Sequence, residues 1–409
     1  MAWRDLFRWG RKSADTLELF REIYGRMWST KSGRTVNLDT AIQVSTVFAC
    51  ARVIGNGMAQ VPLKLMRRTG DTRLPATDHP LYDVLALRPN SWQTSFEFRQ
   101  LMSWHIELCG NFYAFKNAPA GVVRELLPLD PTKVKVTRRK DLSLAYELTL
   151  DDGKTQPLDA EDVWHVRGPS WNSWQGLYAL NAAREAVGLA IATEESQASL
   201  HRNGVQSTGA WSVDGKLSDL QQKQLVDWLV REHVGPDNAG KPFVMDRAAK
   251  WVNTQMTGVD AQHLETRRNQ IEEICRFFGV MPIMAGYSDK AATYASAEAM
   301  FLAHMMHCLS PRWTSYEQSM DANLLTERDR RDGLYFDFVE EGMIRGSVRD
   351  TKDAILGYVN GGILTPNEGR ALLDKNPDAD PASNKLRIPV NTVNDPRKEK
   401  PDEGEPIPA

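Results

Sequence analysis

Residues 177–203 read Leu-Tyr-Ala-Leu-Asn-Ala-Ala-Arg-Glu-Ala-Val-Gly-Leu-Ala-Ile-Ala-Thr-Glu-Glu-Ser-Gln-Ala-Ser-Leu-His-Arg-Asn, and this Ala-rich stretch decides how the rest of the chain is interpreted. Its apolar residues, from Leu180 through Val187 to Ile191, recur at helical spacing, so the stretch predicts one long helix. Small side chains allow a neighbouring helix to approach closely. That neighbour is either a helix of the same domain or a copy of the stretch itself.

A second long helix is predicted from about Asp260 to Phe278, because its apolar residues lie on one stripe and charged residues surround the rest. Gly279 and Pro282 end it. The residues between the two long helices, 205–257, alternate like strands on both sides of a short helix. The pattern therefore predicts two rod-like helices separated by a small β-α-β module.

The segment before the first long helix combines helices with period-two strands. Its predicted elements are a helix over 37–62, a short helix over 79–85, a helix over 95–109 that Gly110-Asn111 terminates, and an antiparallel β unit over 125–167. Asp39 or Thr40 can cap the first of these helices, and Gly55 and Gly57 followed by Pro62 end it. With the strands and helices segregated in this way, the fold class is α+β.

The segment after the second long helix begins with residues 283–296, which are small, polar and without a period, so they predict a loop. The next helix covers Ala297 to Leu325, and Pro311 inside it predicts a kink. A strand and two short helices follow up to Asp374, and the second of these helices is predicted to begin at Thr365-Pro366-Asn367-Glu368, with Pro in its first turn. The last residues, 376–409, are rich in Asn, Asp, Pro and Lys and are predicted to be a disordered tail.

The charge balance bears on nucleic-acid binding. The chain carries 50 Lys and Arg against 53 Asp and Glu, a formal net charge of -3. Each Lys or Arg contact with phosphate adds salt-dependent affinity. Near neutrality therefore argues against a coat that holds nucleic acid tightly.

Cysteine usage bears on the compartment. Cys50, Cys109, Cys275 and Cys308 form no C-x-x-C pair, and each lies in an apolar or helical run. This pattern is typical of reduced, buried thiols in a protein assembled in a reducing cytoplasm.

The N-terminal residues 1–34 are amphipathic and basic, with eight Lys and Arg against four Asp and Glu. They contain no signal-peptide core, and no apolar run in the chain is long enough to span a bilayer, so stable membrane insertion is not expected. This flexible arm is either a surface segment that contacts a partner or a membrane, or a frayed terminus.

The strongest catalytic motif is Gly235-Pro-Asp-Asn-Ala-Gly-Lys241, which fits the first seven positions of a P-loop. The eighth position is Pro242, where a P-loop needs a Ser or Thr hydroxyl for magnesium. The predicted order is also reversed, since a P-loop follows a strand and opens a helix. The stretch is better interpreted as a helix-to-strand turn.

Other enzyme motifs are absent from the sequence, which has no G-x-S-x-G, no H-E-x-x-H and no zinc-type cysteine–histidine spacing. His304 and Cys308 have i,i+4 spacing, but two ligands without a third are typical of packing residues. Glu272 and Glu273 are adjacent on a helix and do not face one point. The sequence therefore predicts no catalytic residue, no metal site, no cofactor and no enzymatic activity.

Taken in order, stretches distributed over residues 37–375 resemble the tailed-phage portal protein family, in the shorter form found in long-tailed phages. The stretches are Ala49-Cys-Ala-Arg-Val-Ile-Gly-Asn-Gly-Met-Ala-Gln-Val-Pro-Leu, His79-Pro-Leu-Tyr-Asp-Val-Leu, Gly110-Asn-Phe-Tyr-Ala, Gly204 to Gly240 with Asn238-Ala-Gly-Lys, Asp260-Ala-Gln-His-Leu-Glu-Thr-Arg-Arg, Phe278-Gly-Val-Met-Pro, Thr293-Tyr-Ala-Ser-Ala-Glu, Leu309-Ser-Pro-Arg-Trp and Gly362-Ile-Leu-Thr-Pro-Asn-Glu. Their joint order over most of the chain carries the resemblance.

The resemblance implies a portal-like α+β subunit that assembles into a closed, typically twelvefold ring, in which neighbouring copies present different faces to each other. The implied segments are a flexible basic arm (1–34), a wing (35–175), a stem helix (176–204), a clip (205–257), a second stem helix (258–282), a tunnel loop (283–296), a long kinked helix with a wing strand (297–344), a short helical crown (345–375) and the tail (376–409).

The same resemblance implies which residues contact partners. The tunnel loop would face DNA through Tyr287, Ser288, Asp289, Lys290, Thr293 and Tyr294. These groups can touch the DNA backbone without distinguishing bases. On the second stem helix, Arg267 and Arg268 either line the channel or pair with Glu272. The charged clip residues that would dock a partner are Lys216, Asp219, Lys223, Asp227 and Arg231.

The implied function is a DNA conduit at a capsid vertex, present in the virion and in the host cytoplasm during assembly. Its implied partners are copies of itself, double-stranded DNA without sequence specificity, the major capsid protein, the terminase large subunit and a head-tail adaptor. Two alternatives remain at this point. One is an NTP-dependent DNA motor or nuclease subunit using the P-loop-like stretch, and the other is a membrane-surface protein using the basic arm.

Overall fold

The computed structural model describes residues 28–203, 209–213, 218–220, 223–224, 227, 249–253, 259–287, 294–339, 348–373 and 375–387. Helices and antiparallel strands are mixed along the chain, as the α+β prediction requires. The chain separates into two compact units, Met1–Phe338 and Val339–Ala409.

The first unit holds most of the elements. Its helices are α1 (Leu38–Gln43), α2 (Ser45–Gln60), α3 (Pro80–Ala86), α4 (Ser95–Cys109), α5 (Ala179–Asn203), α6 (Val259–Phe278), α7 (Tyr294–His304), α8 (Ser310–Asn323) and α9 (Glu327–Arg331), with a π-helical turn Met305–Leu309 between α7 and α8. Its strands are β1 (Trp28–Ser29), β2 (Thr35–Val36), β3 (Leu63–Thr69), β4 (Thr72–Pro75), β5 (Asn111–Asn117), β6 (Glu125–Leu129), β7 (Val134–Arg138), β8 (Leu144–Thr149), β9 (Thr155–Leu158), β10 (Val163–Arg167), β11 (Gly209–Val213), β12 (Ala249–Asn253) and β13 (Leu334–Phe338).

The strands form small antiparallel sheets rather than one large sheet. The predicted β unit over 125–167 divides between two of them, because β5 pairs with both β6 and β10 while β7, β8 and β9 form a sheet of their own. A third sheet joins β13 to β3 and β4. The strand that follows the long helix thus returns to the N-terminal part of the unit.

An aromatic core lies between α4 and the β10–β5–β6 sheet. Phe98 of α4 meets Phe112 of β5 edge to face, and Trp164 of β10 lies against both rings. All three side chains are completely buried, and the indole N–H of Trp164 donates to Ser319 Oγ at 3.1 Å. Aromatic residues in such offset and edge-to-face pairs dominate core energetics, so this core holds α4, the sheet and α8 together.

Helix α4 spans the residues predicted for it, since both of its ends are specified locally. Thr94 and Glu97 form a capping box at its start. Gly110, at a φ of 75°, ends it in the left-handed conformation that glycine adopts without steric cost.

The predicted helix over 37–62 differs from the structure in three ways. It is divided into α1 and α2 at Val44, and its cap is Asn37 rather than Asp39 or Thr40. Gly55 and Gly57 lie inside α2 instead of ending it. A Cβ at Gly55 would lie 2.6 Å from Trp104 Nε1, and one at Gly57 would lie 2.8 Å from Leu309. The two glycines therefore admit neighbouring side chains, and the helix ends just before Pro62.

The N-terminal arm is ordered earlier than predicted, because residues 28–36 form the β1–β2 hairpin. Residues 1–27 lie outside the described part of the chain. No helix within the described residues is long and apolar enough to cross a bilayer.

The second unit contains α10 (Val348–Asn360), α11 (Pro366–Leu372) and a 3-10 turn (Pro381–Asn384). Helix α11 starts at the predicted Thr365-Pro366 boundary. The predicted disorder of the tail is wrong for residues 376–387, because Asn367 Nδ2 donates to Asp378 O at 3.1 Å and to Asn384 Oδ1 at 2.7 Å. Residues 388–409 are outside the described ranges.

Candidate functional site

The two long helices, α5 and α6, pack against each other in antiparallel orientation. Gln270 Nε2 donates to Thr193 Oγ1 at 3.1 Å, and Arg267 Nη1 donates to Gln197 Oε1 at 3.4 Å one turn further along. One of the alternatives for the Ala-rich helix is therefore confirmed, since α5 packs on a helix of its own chain. Packing against a second copy of itself stays a prediction.

Arg267 and Arg268 both lie on the exposed side of α6. Arg267 bonds to Gln197 of α5, and Arg276 forms an ion pair with Glu273 further along α6. The two alternatives for Arg267 and Arg268, lining the channel and pairing with Glu272, both stay predictions.

The small residues of α5 also serve the N-terminal hairpin. A Cβ at Gly188 would lie 2.4 Å from Thr30 Cγ2, so only glycine lets the hairpin lie this close to the helix. The backbone N–H of Lys31 donates to Glu185 Oε2 at 3.1 Å, and Arg34 forms an ion pair with Glu195. Part of the small-residue surface of α5 is therefore covered by its own chain.

Arg312 connects three elements at the base of the long helices. Its guanidinium holds the Glu107 carboxylate with two bonds, Nε to Oε1 at 2.7 Å and Nη2 to Oε2 at 2.9 Å. It also donates to the carbonyls of Phe278 at 3.1 Å and Cys308 at 2.6 Å. Burial opposes the charged form, but Glu107 outweighs it and raises the pKa of Arg312. α4, the end of α6 and the π-helical turn therefore share one charged centre.

The predicted kink at Pro311 takes the form of the π-helical turn that precedes it, in which the Ser310 N–H donates to Met305 O. Proline has no N–H for the helical ladder, and π turns of this kind occur mostly as single turns within α-helices. The predicted helix over 297–325 is consequently two α-helices, α7 and α8, that begin at Tyr294 and end at Asn323.

A second junction ties the sheet to the start of α5 through Asn111. Its Oδ1 accepts from the Gly176 N–H at 2.7 Å and lies 3.0 Å from His165 Nε2, and its Nδ2 donates to Gly176 O at 3.1 Å. Tyr146 Oη lies 3.2 Å from His165 Nδ1. Burial, with a smaller effect of Arg167, lowers the pKa of His165 to about 3. The ring is therefore neutral and acts as a structural hydrogen-bonding group.

Sequence reasoning missed both junctions. The only signals were the Gly110-Asn111 helix stop and the Leu309-Ser-Pro-Arg-Trp stretch, and neither indicates a partner.

Each junction borders a cavity. One of about 320 Å³ lies beside Asn111 and Trp171, and one of about 580 Å³ is lined by Phe277 and Arg312.

The predicted tunnel loop is described only at its two ends. Tyr287 is half-buried, and its N–H donates to Pro282 O at 3.0 Å in a tight turn. Ser288, Asp289, Lys290 and Thr293 lie outside the described residues. Tyr294 is the first residue of α7, so the prediction of a loop is wrong for residues 294–296, where the helix begins earlier than its apolar pattern indicated.

The predicted β-α-β module is described in part. Strands β11 and β12 pair antiparallel with Trp211 opposite Trp251. Asp219, Lys223 and Asp227 are helical and exposed. Lys216, Arg231 and the P-loop-like stretch 235–241 lie outside the described ranges.

All four cysteines are buried and free, as predicted. Cys50 and Cys275 lie 3.8 Å apart between their sulfur atoms and connect α2 with α6. His304 is buried, and Arg312 Nη1 donates to Cys308 Sγ at 3.3 Å. Among the described side chains, no group of three or more His, Cys, Asp or Glu residues could hold a metal ion.

Comparisons with proteins of known sequence extend over most of the chain. A family model described as "Phage portal protein" matches residues 45–374. The portal protein of Enterobacteria phage HK97 is 26% identical over 342 residues, covering 82% of this chain and 80% of that protein. A probable portal protein of Streptomyces phage phiC31 is 27% identical over 382 residues, covering 90% and 82%.

Solved structures show the same fold. A chain in the neck of a native gene transfer agent particle, computed with C12 symmetry, is 22% identical with a TM-score of 0.53, covering 89% of this chain and 94% of that one. An HK97-family phage portal protein from Corynebacterium diphtheriae is 15% identical with a TM-score of 0.56, covering 76% and 99%. Family model, relatives and fold agree with the order of elements, and the chain belongs to the phage portal protein family.

Proposed function

We propose that this chain is one subunit of a ring-shaped conduit at a capsid vertex, through which a phage genome is packaged, retained and ejected. The observation that carries the proposal is the family match over residues 45–374. A structural neighbour belongs to a particle neck computed with twelvefold symmetry. We propose a ring of about twelve subunits, which is closed by contacts between unlike faces of neighbouring copies.

The arrangement of the long helices supports this proposal. α5 and α6 form an antiparallel pair that carries a small module, 205–257, at one end. At the other end, α6 leads through the turn at Pro282–Tyr287 toward α7. In the ring we assign the helix pair to the stem, the module to the clip and residues 283–293 to the tunnel loop, with 35–175 as the wing and 345–375 as the crown.

DNA would be touched without sequence specificity. Ser288, Asp289, Lys290, Thr293 and Tyr294 include one acid and one base, so they offer hydroxyl and aromatic contacts with little net charge. The hydroxyl of Tyr287 is buried within the subunit, so we assign it no contact with DNA. Arg267 and Arg268 are exposed on α6 and would line the channel. Because strong phosphate binding slows sliding, a weakly charged lining suits a conduit.

The remaining partners follow from the same proposal. The clip would dock the terminase large subunit, which supplies the energy for packaging, through Lys216, Asp219, Lys223, Asp227 and Arg231. A head-tail adaptor and the major capsid protein would contact the assembled ring. The protein itself would act without catalysis, first in the host cytoplasm and then in the virion.

The test replaces residues 288–293 with a Gly-Ser linker of equal length, which leaves α7 intact, in a phage that lacks its own portal gene. A linker replacing residues 150–154, in the β8–β9 turn, is the matched control. We expect rings from both variants and DNA-filled capsids from the control alone. If the unaltered chain fails to restore DNA-filled capsids, the proposed function is wrong. If the 288–293 variant restores them, the loop does not act on DNA.

A further inference from the structure

Helix α7 and the π-helical turn carry large apolar side chains that the described part of the chain leaves exposed. Met300 is 38% exposed, Phe301 52%, Leu302 49% and Met306 60%. Among the side chains of this stretch whose burial is described, 299–309, those of His304, Cys308 and Leu309 are buried. We call the four exposed residues the α7 face.

The α7 face extends around most of the helix. Successive residues of an α-helix are about 100° apart, so Met300, Phe301 and Leu302 point in three different directions, and Met306 lies one turn beyond Leu302. A helix that is apolar on nearly all sides is typical of a buried position. Contiguous apolar patches on a soluble protein mark interaction sites. The exposed apolar side chains of the α7 face therefore mark it as an interaction site.

The chemistry of the face decides what covers it. Residues 291–311 contain no Lys and no Arg, so the segment has no group that pairs with phosphate on DNA or on an anionic lipid surface. Phe and Met are enriched at the cores of protein interfaces, and methionine adapts to irregular surfaces. The face is suited to another protein surface.

Ring closure supplies such a surface in every subunit, since each copy presents one face to the next and receives another. We infer that the α7 face is a contact between neighbouring copies of this chain in the ring, with Phe301 as its aromatic anchor. This inference rests on the proposed function and specifies its subunit interface.

The α7 face is also held rigidly. Met306 lies in the π-helical turn, and Arg312 donates to the carbonyl of Cys308 in that turn while it holds Glu107. The face is therefore fixed to α4 and α6 before assembly. Pre-organisation of this kind reduces the entropic cost of binding.

The experiment compares two exposed leucines with the same substitution. Leu302→Asp places a charge in the α7 face, whereas Leu142→Asp places one in the β7–β8 turn, where Leu142 is 65% exposed at a φ of 70° that Asp tolerates. Assembly is followed by mass photometry over a dilution series. We expect Leu142→Asp to form rings like the unaltered chain, and Leu302→Asp to need at least about tenfold more protein, about 1.4 kcal/mol per contact.

A milder variant separates loss of the interface from loss of the fold. Met306→Gln is nearly isosteric and suits a helix, so at a concentration below ring assembly its circular dichroism and melting temperature should match those of the unaltered chain. Its assembly should weaken in the same direction as that of Leu302→Asp. Rings of Leu302→Asp and Met306→Gln at unaltered concentrations would overturn the inference and leave the proposed function standing. If the unaltered chain stays monomeric, the proposed function itself fails.

Discussion

Phe98 and Phe301 lie on two helices of the same unit and meet opposite environments. Phe98 is fully buried among Phe112 and Trp164, whereas Phe301 is half-exposed on α7. The first set of apolar residues completes a core within one subunit. The apolar residues around Phe301 do not pack into such a core with the described residues of their own unit. The difference separates what holds the subunit together from what is available to hold subunits to each other.

The largest expected difference comes from the same substitution at these two positions. Phe98→Ala should cost about 3–5 kcal/mol of unfolding free energy, because it opens a cavity in the aromatic core. Phe301→Ala should change the stability of the monomer by less than about 0.5 kcal/mol, because the side chain is exposed there. Urea unfolding at a concentration below ring assembly measures both. Equal losses would contradict the contrast between core and surface.

The charged junction gives the next effect. Arg312→Met leaves the Glu107 carboxylate largely buried without its partner, and removing one member of such a pair costs about 3 kcal/mol. Arg331→Met is the matched control, because Arg331 pairs with Glu327 on the surface at 3.2 Å, and such pairs contribute at most about 1 kcal/mol. In thermal unfolding, Arg312→Met should have a clearly lower melting temperature than Arg331→Met. A similar melting temperature for both would show that the junction is not structural.

A methyl group at Gly176 tests the second junction. A Cβ there would lie 1.9 Å from Gly110 O, which is backbone and cannot move aside, so Gly176→Ala should cost about 2–3 kcal/mol. Gly357→Ala, in α10, is the control, because nothing lies within 4 Å of its Cβ position. In that helix alanine should stabilise by about 0.5–1 kcal/mol. Stability gained at both positions would contradict the close approach.

Acid should weaken the subunit through its buried histidines. Burial lowers the pKa of His165 to about 3 and that of His105 to about 4, against an ordinary value of 6.5. Below pH 6.5 these histidines bind protons in the unfolded chain but stay neutral in the folded chain. Each histidine therefore lowers the free energy of unfolding by about 1.4 kcal/mol per pH unit, or by about 2 kcal/mol at pH 5. The stability is intact above 6.5 and is lost as the pH falls.

The substitution His165→Gln isolates the contribution of one of these two histidines. Between pH 6 and pH 4.5 the slope of unfolding free energy against pH should be smaller in the variant than in the unaltered chain. The difference corresponds to about one proton, which is about 1.4 kcal/mol per pH unit. Urea unfolding in a pH series measures the slope. An unchanged slope would mean that His165 is protonated in the folded protein.

Features specified by neighbouring residues could be predicted from the sequence. The end of α4 followed from Gly110, and the start of α11 from Thr365 and Pro366, because caps act within one turn. The order of the two long helices and the intervening module followed in the same way from periodicity.

Features that depend on distant partners could not be predicted. Gly55 is predicted to end a helix, because the sequence does not show that Trp104 lies against it. Nor does the sequence around Arg312 indicate its bond to Glu107, which lies 205 residues away. The same applies to the candidate site. Exposure of the α7 face is a property of the folded unit, and its apolar pattern alone is equally compatible with a buried helix.

The central claim is that copies of this chain close into a ring with an axial opening wide enough for duplex DNA. Negative-stain microscopy of the purified, full-length protein, with mass photometry of the same sample, tests it most directly. We expect a closed ring with a central hole and a mass equal to a whole number of subunits near twelve. A protein that remains monomeric, or particles without an axial opening, would contradict it.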